Sequence, residues 1–121
     1  MPRTVLIVDD DPAFCRTASL LLAVRGLRVV AIAAGGAAAL DAAGRHSPDC
    51  VLLDMNLAGE DGPTVARALT DRPSPPVVVL TSSDAADPPA RTLLRCRARG
   101  FVPKAQLAEV NLEELFRPAD T

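Results

Sequence analysis

A chain of 121 residues, 49% of them apolar, has room for one hydrophobic core and not two; with no Trp or Tyr and three Phe, that core must be built from Ala, Val and Leu. A net charge of −2 lacks the basic excess of a nucleic-acid surface, and no apolar run approaches the ~20 residues of a membrane helix. The opening MPRTVLIV has one Arg and meets acids too early for a secretory signal, so the default is a cytoplasmic protein.

The first element is a strand at 4–8, TVLIV, which runs straight into Asp9, Asp10 and Asp11. Asp11-Pro12 then sets an N-cap acceptor before a proline, and Phe14, Ala18, Leu21 and Leu22 recur on one face of a first helix that Gly26 closes. A second strand is predicted at 27–32 and an alanine-rich second helix at 36–43. His46, the only histidine, lies in the polar stretch before Ser47-Pro48 and reads as a solvated loop residue, so histidine-based catalysis has no support.

The third strand, 50–53, ends at Asp54, and Gly62-Pro63 opens a third helix. RPSPP at 72–76 is a stiff loop feeding a fourth strand at 77–80, which Thr81, Ser82 and Ser83 close. Asp87-Pro88 repeats the Asp-Pro signal for a fourth helix. A brief fifth strand, 100–102, leads through Pro103 to Lys104, and Asn111 with Glu114 resembles a capping box for a short last helix ended by Pro118. Cys15, Cys50 and Cys96 are odd in number, lack C-x-x-C spacing and read as small buried hydrophobes. Arg91, Arg95, Arg97 and Arg99 read as a solvated basic face, with a docking surface for an acidic partner as the other reading.

Strand and helix thus alternate five times. The first, third and fourth strands are continuous apolar runs, the pattern of strands covered on both faces. The fold class is therefore α/β, a single doubly wound five-stranded parallel sheet with helices on both sides. Ligands in such sheets bind along the carboxyl ends of the strands. That edge collects Asp9, Asp10, Asp54, Thr81 and Lys104 from four separate segments.

Two unit charges about 4 Å apart repel by roughly 4 kcal/mol at an effective dielectric near 20, so clustered carboxylates need a cation. An oxygen-only donor set without Cys or His favours a hard ion, and Mg²⁺ suits a site of few carboxylates. Lys104 can balance a phosphoryl group, Thr81 can donate to it, and a carboxylate can be its nucleophile.

The blocks VLIVDDDPAF, VLLDMNLAGEDG, VVVLTSSD and GFVPK resemble, in order and spacing, the signatures of response-regulator receiver domains of two-component signalling systems. The resemblance covers essentially the whole chain and implies one receiver domain over 1–121. It also implies the flavodoxin-like strand order 2-1-3-4-5 with five helices. By that resemblance Asp54 takes a phosphoryl group from a sensor histidine kinase. Asp10, Asp54 and the backbone carbonyl of Asn56 ligate Mg²⁺, and Asp9 reaches it through water. Thr81 and Lys104 contact the phosphoryl group, Phe101 is the aromatic switch, and Asn56 and Ser83 tune the lifetime of the acyl phosphate. Asp11 matches no ligand role and reads as a helix cap.

The resemblance implies a phosphorelay protein rather than an enzyme. It would act on a downstream effector or through an output domain missing from this chain, because residues 118–121 leave no room for a DNA-binding helix-turn-helix. Homodimerisation through the fourth and fifth helices is open, weakened by the short fifth helix. Two departures stand out: Ala105 follows Lys104 where the family often has proline, and Leu57-Ala58-Gly59 replaces its usual Met-Pro-Gly.

Two further readings compete. Asp9 and Asp11 have the two-residue spacing of a haloacid-dehalogenase-like phosphohydrolase with Asp9 as nucleophile, but Pro12 and the missing cap domain speak against it. A phosphorylation-independent pseudo-receiver adaptor would share the fold, although all five key positions carry competent residues.

Overall fold

In the computed structural model, which describes residues 2–84 and 86–118, the five apolar runs form one parallel sheet. Its strands are β1 (Thr4–Val8), β2 (Arg28–Ala33), β3 (Cys50–Asp54), β4 (Val77–Ser82) and β5 (Gly100–Pro103). The spatial order is 2-1-3-4-5, as expected, and every pairing is parallel. The intervening helices are α1 (Pro12–Val24), α2 (Gly36–His46), α3 (Gly62–Thr70), α4 (Ala90–Cys96) and α5 (Leu112–Leu115). Met1 and residues 119–121, which carried the expectation about the chain's end, lie outside the described residues, as does Ala85.

The period-two geometry of a strand splits the core into two layers. Leu6 and Val8 of β1, Val51 and Leu53 of β3 and Leu80 of β4 face Ala39 and Ala43 of α2, Val65 and Leu69 of α3, and Cys96 of α4. Val5 and Ile7, Leu52 and Val79 face the other way, onto Ala18 and Leu22 of α1, and onto Leu112 and Phe116 around α5. Burying each Leu or Val contributes about 1.5–3 kcal/mol, so the two layers clamp the three central strands from both sides. All three cysteines are buried and free, as expected of small hydrophobes.

Several helix ends differ from the sequence-based expectations. Asp11 caps α1 as predicted, accepting from the amides of Ala13 and Phe14, and Gly26 takes φ +81°. α2 runs on to His46, which is therefore an exposed last-turn residue rather than a loop residue. The acceptor that starts α3 is Asp61, bonded to Thr64, and not the Gly62-Pro63 pair itself.

Asp87-Pro88 starts nothing. α4 begins at Ala90, because Pro88-Pro89 forces the residue before each proline out of helical backbone. Only half of the expected capping box forms, with Asn111 accepting from the Glu114 amide. Arg91, Arg95, Arg97 and Arg99 are all exposed, as a solvated basic face requires.

A two-stranded hairpin that the sequence reading passed over, Asn56–Leu57 with Glu60–Asp61, follows β3. It gives the segment after Asp54 a fixed shape.

Candidate functional site

The carboxyl ends of β1 and β3 are adjacent because these strands pair in register, Val8 beside Leu53. That pairing places Asp9 and Asp54 next to each other. One carboxylate oxygen from each of Asp9, Asp10 and Asp54 falls within a 4.8 Å span, close enough to share one ligand.

A backbone amide orients each of the three acids. Asp9 Oδ1 accepts from the Asp11 amide at 2.9 Å, and Asp54 Oδ1 accepts from the Asn56 amide at 3.2 Å. Both are turns in which an aspartate bonds the amide two residues on. Asp10 Oδ2 accepts from the Ala58 amide at 3.2 Å, tying the hairpin to the end of β1. Asp9 and Asp54 each spend Oδ1 on the amide two residues on and keep Oδ2 for the cleft.

Lys104 meets those remaining oxygens. Its Nζ lies 2.8 Å from Asp9 Oδ2 and 3.6 Å from Asp54 Oδ2, and it sits over the Phe14 ring at 4.4 Å from the centroid. Asp9 and Asp54 are nearly inaccessible, whereas Asp10 is exposed. Pro103 ends β5 and Lys104 opens a short 3₁₀ turn, so Ala105 after the lysine does not keep the ammonium out of the cleft.

The electrostatics follow from this packing. Burial pushes the Asp54 carboxyl above the ordinary carboxylate range, the Asn56 amide pulls it back in part, and the negative charge of Asp9 adds to the rise. Burial alone would lower the Lys104 ammonium, but Asp9 and then Asp54 outweigh it and hold it above the usual lysine value. Two buried acids thus share one ammonium with a third acid close by, an incomplete neutralisation. Among the described residues Asp9 Oδ2 has no hydrogen-bond donor in good geometry and takes only the ionic contact with Lys104. An all-oxygen donor set of this span fits a hard divalent cation.

The remaining expected positions are placed unevenly. Thr81 is the register partner of Asp54, yet its buried hydroxyl donates to the Val102 carbonyl at 2.6 Å. Phe101 is half-buried and packs against the core layer shared with α2, α3 and α4. The Asn56 side chain donates to Ser82 Oγ at 3.2 Å, and the Asp84 amide donates to the same hydroxyl. Ser83 is exposed and makes no side-chain hydrogen bond among the described residues, and Ser82 is the serine that meets Asn56.

Two supporting residues, Glu60 and Arg25, went unnoticed in the sequence, and Gly62 reads there only as a helix start. Glu60 Oε2 accepts from the Gly36 amide at 2.6 Å and anchors the hairpin to the start of α2. Gly62 is wedged against β3: a Cβ there would lie 2.5 Å from Met55 Cα and 2.6 Å from the Asp54 carbonyl oxygen. Arg25 donates to the carbonyls of Val110 and Ala108 and so braces the segment that follows Lys104. None has a local motif; Glu60 and Arg25 are legible only once distant elements are packed, and the Gly before Pro63 was the one available hint.

Among the described residues no helix is long and apolar enough to cross a membrane. A family model described as a response regulator receiver domain matches residues 5–116. The nitrate/nitrite response regulator protein NarP of Escherichia coli is 38% identical over 116 residues, 94% of this chain and 54% of that protein. The transcriptional regulatory protein KdpE of Mycobacterium tuberculosis is 40% identical over 84 residues, 69% of this chain and 37% of that protein. The chain therefore spans about half, or less, of the length of these relatives.

Among solved structures, the signal receiver domain of the putative response regulator NarL from Mycobacterium tuberculosis superposes with a TM-score of 0.80 at 31% identity, covering 97% of this chain and 98% of that one. The fold, the acidic cleft facing a lysine and these matches agree: the chain belongs to the response-regulator receiver family of two-component phosphorelay signalling.

Proposed function

We propose that residues 1–121 work as a single receiver domain in which Asp54 accepts a phosphoryl group from the phosphorylated histidine of a sensor kinase. The nitrogen–phosphorus bond of the donor breaks as the bond from an Asp54 carboxylate oxygen to phosphorus forms. The observation that carries this reading is the Lys104 ammonium poised between Asp9 and Asp54, beside a third acid. Asp9, Asp10, Asp54 and the Asn56 carbonyl would hold Mg²⁺, which when bound would neutralise phosphoryl oxygen charge.

In this reading Lys104 balances the new charge on Asp54, and the Thr81 hydroxyl exchanges the Val102 carbonyl for a phosphoryl oxygen. Phe101, one residue before Val102, responds to that exchange. Asn56 and the serines at 82 and 83 control water access to the acyl phosphate. The domain acts in the cytoplasm by protein contact, passing its state to an effector or an output domain; two such domains pair only if the α4–β5–α5 face allows it. It performs no turnover of its own on a small-molecule substrate.

Incubation with Mg²⁺ and a small acyl phosphate is expected to add the mass of one phosphoryl group, and Asp54→Asn is expected to abolish the addition. An unchanged mass for the parent chain would overturn the reading. The phosphohydrolase alternative is disfavoured by a specific contact: Asp11, its required second acid, spends Oδ1 on the Ala13 and Phe14 amides as the cap of α1. Turnover of phosphate esters that is lost in Asp9→Asn but kept in Asp54→Asn would reinstate it.

A further inference from the structure

A cavity of ligand size lies well away from the acidic cleft. It lies at the opposite edge of the sheet, where the chain runs into β1, β3, β4 and β5, and it has a volume of about 660 Å³. Arg3, Arg72, and Arg97 together with Arg99 line it from three separate segments, with Asp49 as the only carboxylate among the described lining residues. Cavities of roughly 300–1,000 Å³ are the usual size for small-molecule ligands.

Like charges gathered around one hollow repel unless something neutralises them. The ordinary explanation, arginines offsetting the carbonyl ends of helices, accounts for part of the set. Arg99 donates to the carbonyls of Leu115 and Arg117, and Arg97 pairs with Asp71 at 2.9 Å.

It does not account for the other two. Among the described residues, neither Arg3 nor Arg72 has a side-chain hydrogen bond or ion pair, and Arg3 Nη1 is buried without any partner. Asp49 cannot serve them fully, because its Oδ2 accepts from both the amide and the hydroxyl of Thr4. Arg72 lies against α2, with its Nη2 3.8 Å from where a Cβ on Gly44 would stand. A guanidinium nitrogen buried without an acceptor is costly, and planar guanidinium groups match phosphate oxygens two at a time.

Pro48, Pro73, Pro75 and Pro76 form much of the rest of the wall. Their fixed backbone keeps the hollow open at little entropic cost and offers apolar surface beside the charges. We propose that this cavity binds a phosphate-bearing small molecule of about nucleotide size. Arg3 and Arg72 take the phosphate, and the proline wall packs against the remainder. The site is independent of the acceptor cleft, since its residues precede the strands whose far ends carry Asp9, Asp54 and Lys104.

The test is an NMR titration of the full chain at constant ionic strength with pyrophosphate and with ADP, reading arginine side-chain and 72–78 backbone signals. Saturable shifts centred on Arg3 and Arg72 are expected, with ADP binding about tenfold more tightly than pyrophosphate. Arg72→Gln and Arg3→Gln should each weaken ADP by about tenfold or more. Arg45→Gln, an exposed arginine paired with Asp41, should leave it unchanged, as should Asp54→Asn. If Arg3→Gln fails to fold, Arg72→Gln decides alone. Shifts spread evenly over all surface arginines, equal affinity for the two probes, or unaltered affinity in Arg72→Gln would each overturn the proposal.

Discussion

The Lys104 ammonium stands 2.8 Å from Asp9 and 3.6 Å from Asp54, so one cation holds together two buried carboxylates of neighbouring strands. This bridge offsets part of the repulsion between the acids while leaving the cleft short of positive charge. Lys104→Met would leave both acids uncompensated. The expected loss is about 2–3 kcal/mol, below the full value for a buried pair because the lysine keeps some contact with solvent. Urea unfolding with and without Mg²⁺ checks this, and millimolar Mg²⁺ should recover part of the loss.

Asp54→Asn should have the opposite sign. Folding raises the Asp54 carboxyl pKa, first through burial and then through Asp9, so the native state keeps this proton to higher pH than the unfolded chain does. By linkage the Asp54 carboxyl contributes a penalty that is absent below its unfolded value, near 3.9, grows as pH rises through the folded value, and is fully present above it. The variant should therefore unfold at a higher temperature than the parent at pH 7, with the gap closing below about pH 4. A lower melting temperature for the variant at pH 7 would contradict the assignment.

Thr81 is the position where folding and signalling compete. Its buried hydroxyl satisfies the Val102 carbonyl at 2.6 Å, and Thr81→Ala should cost about 1–2 kcal/mol in chemical denaturation. The same bond must break for the hydroxyl to reach a phosphoryl group on Asp54. A beryllium fluoride mimic added with Mg²⁺ should therefore shift the backbone signals of Phe101 and Val102 strongly in the parent and weakly in Thr81→Ala.

Two glycines near the cleft separate space from backbone conformation. Gly62→Ala would drive a methyl group into Met55 and the Asp54 carbonyl, costing about 3 kcal/mol or more and displacing the acceptor loop. Gly59, at φ +72° with open space around it, should lose only about 1 kcal/mol on replacement by alanine. Thermal unfolding of the two variants gives the comparison, and Mg²⁺ affinity should fall in Gly62→Ala alone.

Cys50 carries a solution-pH prediction. Burial, the dominant cause, pushes its thiol to about 11. Its folded pKa lies above the unfolded one, so this thiol adds a penalty as pH rises from about 8.5 through that value. Native alkylation at pH 8 should be far slower than in urea.

How much of this was legible in the sequence depended on whether the deciding forces were local. The strands were visible because runs such as CVLL, buried on both faces, need no polar alternation. Asp11 was legible as a cap because an acid before Pro12 has one obvious local use. The convergence of Asp9, Asp54 and Lys104 followed from topology, since parallel strands put all their carboxyl ends on one edge.

Asp87 does not cap α4 because the Pro88-Pro89 pair beside it disfavours helical backbone there. That Ser82 meets Asn56 follows from β4 running two residues further than its apolar run. Glu60 reaching Gly36, and the arginines meeting across the far edge, depend on tertiary packing that no window of sequence contains. The strand-end rule says nothing about that far edge.

The most direct measurement of the central claim is a Mg²⁺ titration followed through the backbone signals of Asp10, Asp54 and Asn56. One saturable ion per chain is predicted, with binding weakened at least about tenfold in Asp10→Asn. Signals at the three positions that fail to move together, or binding that survives Asp10→Asn unchanged, would contradict a shared cation site beside the phospho-acceptor.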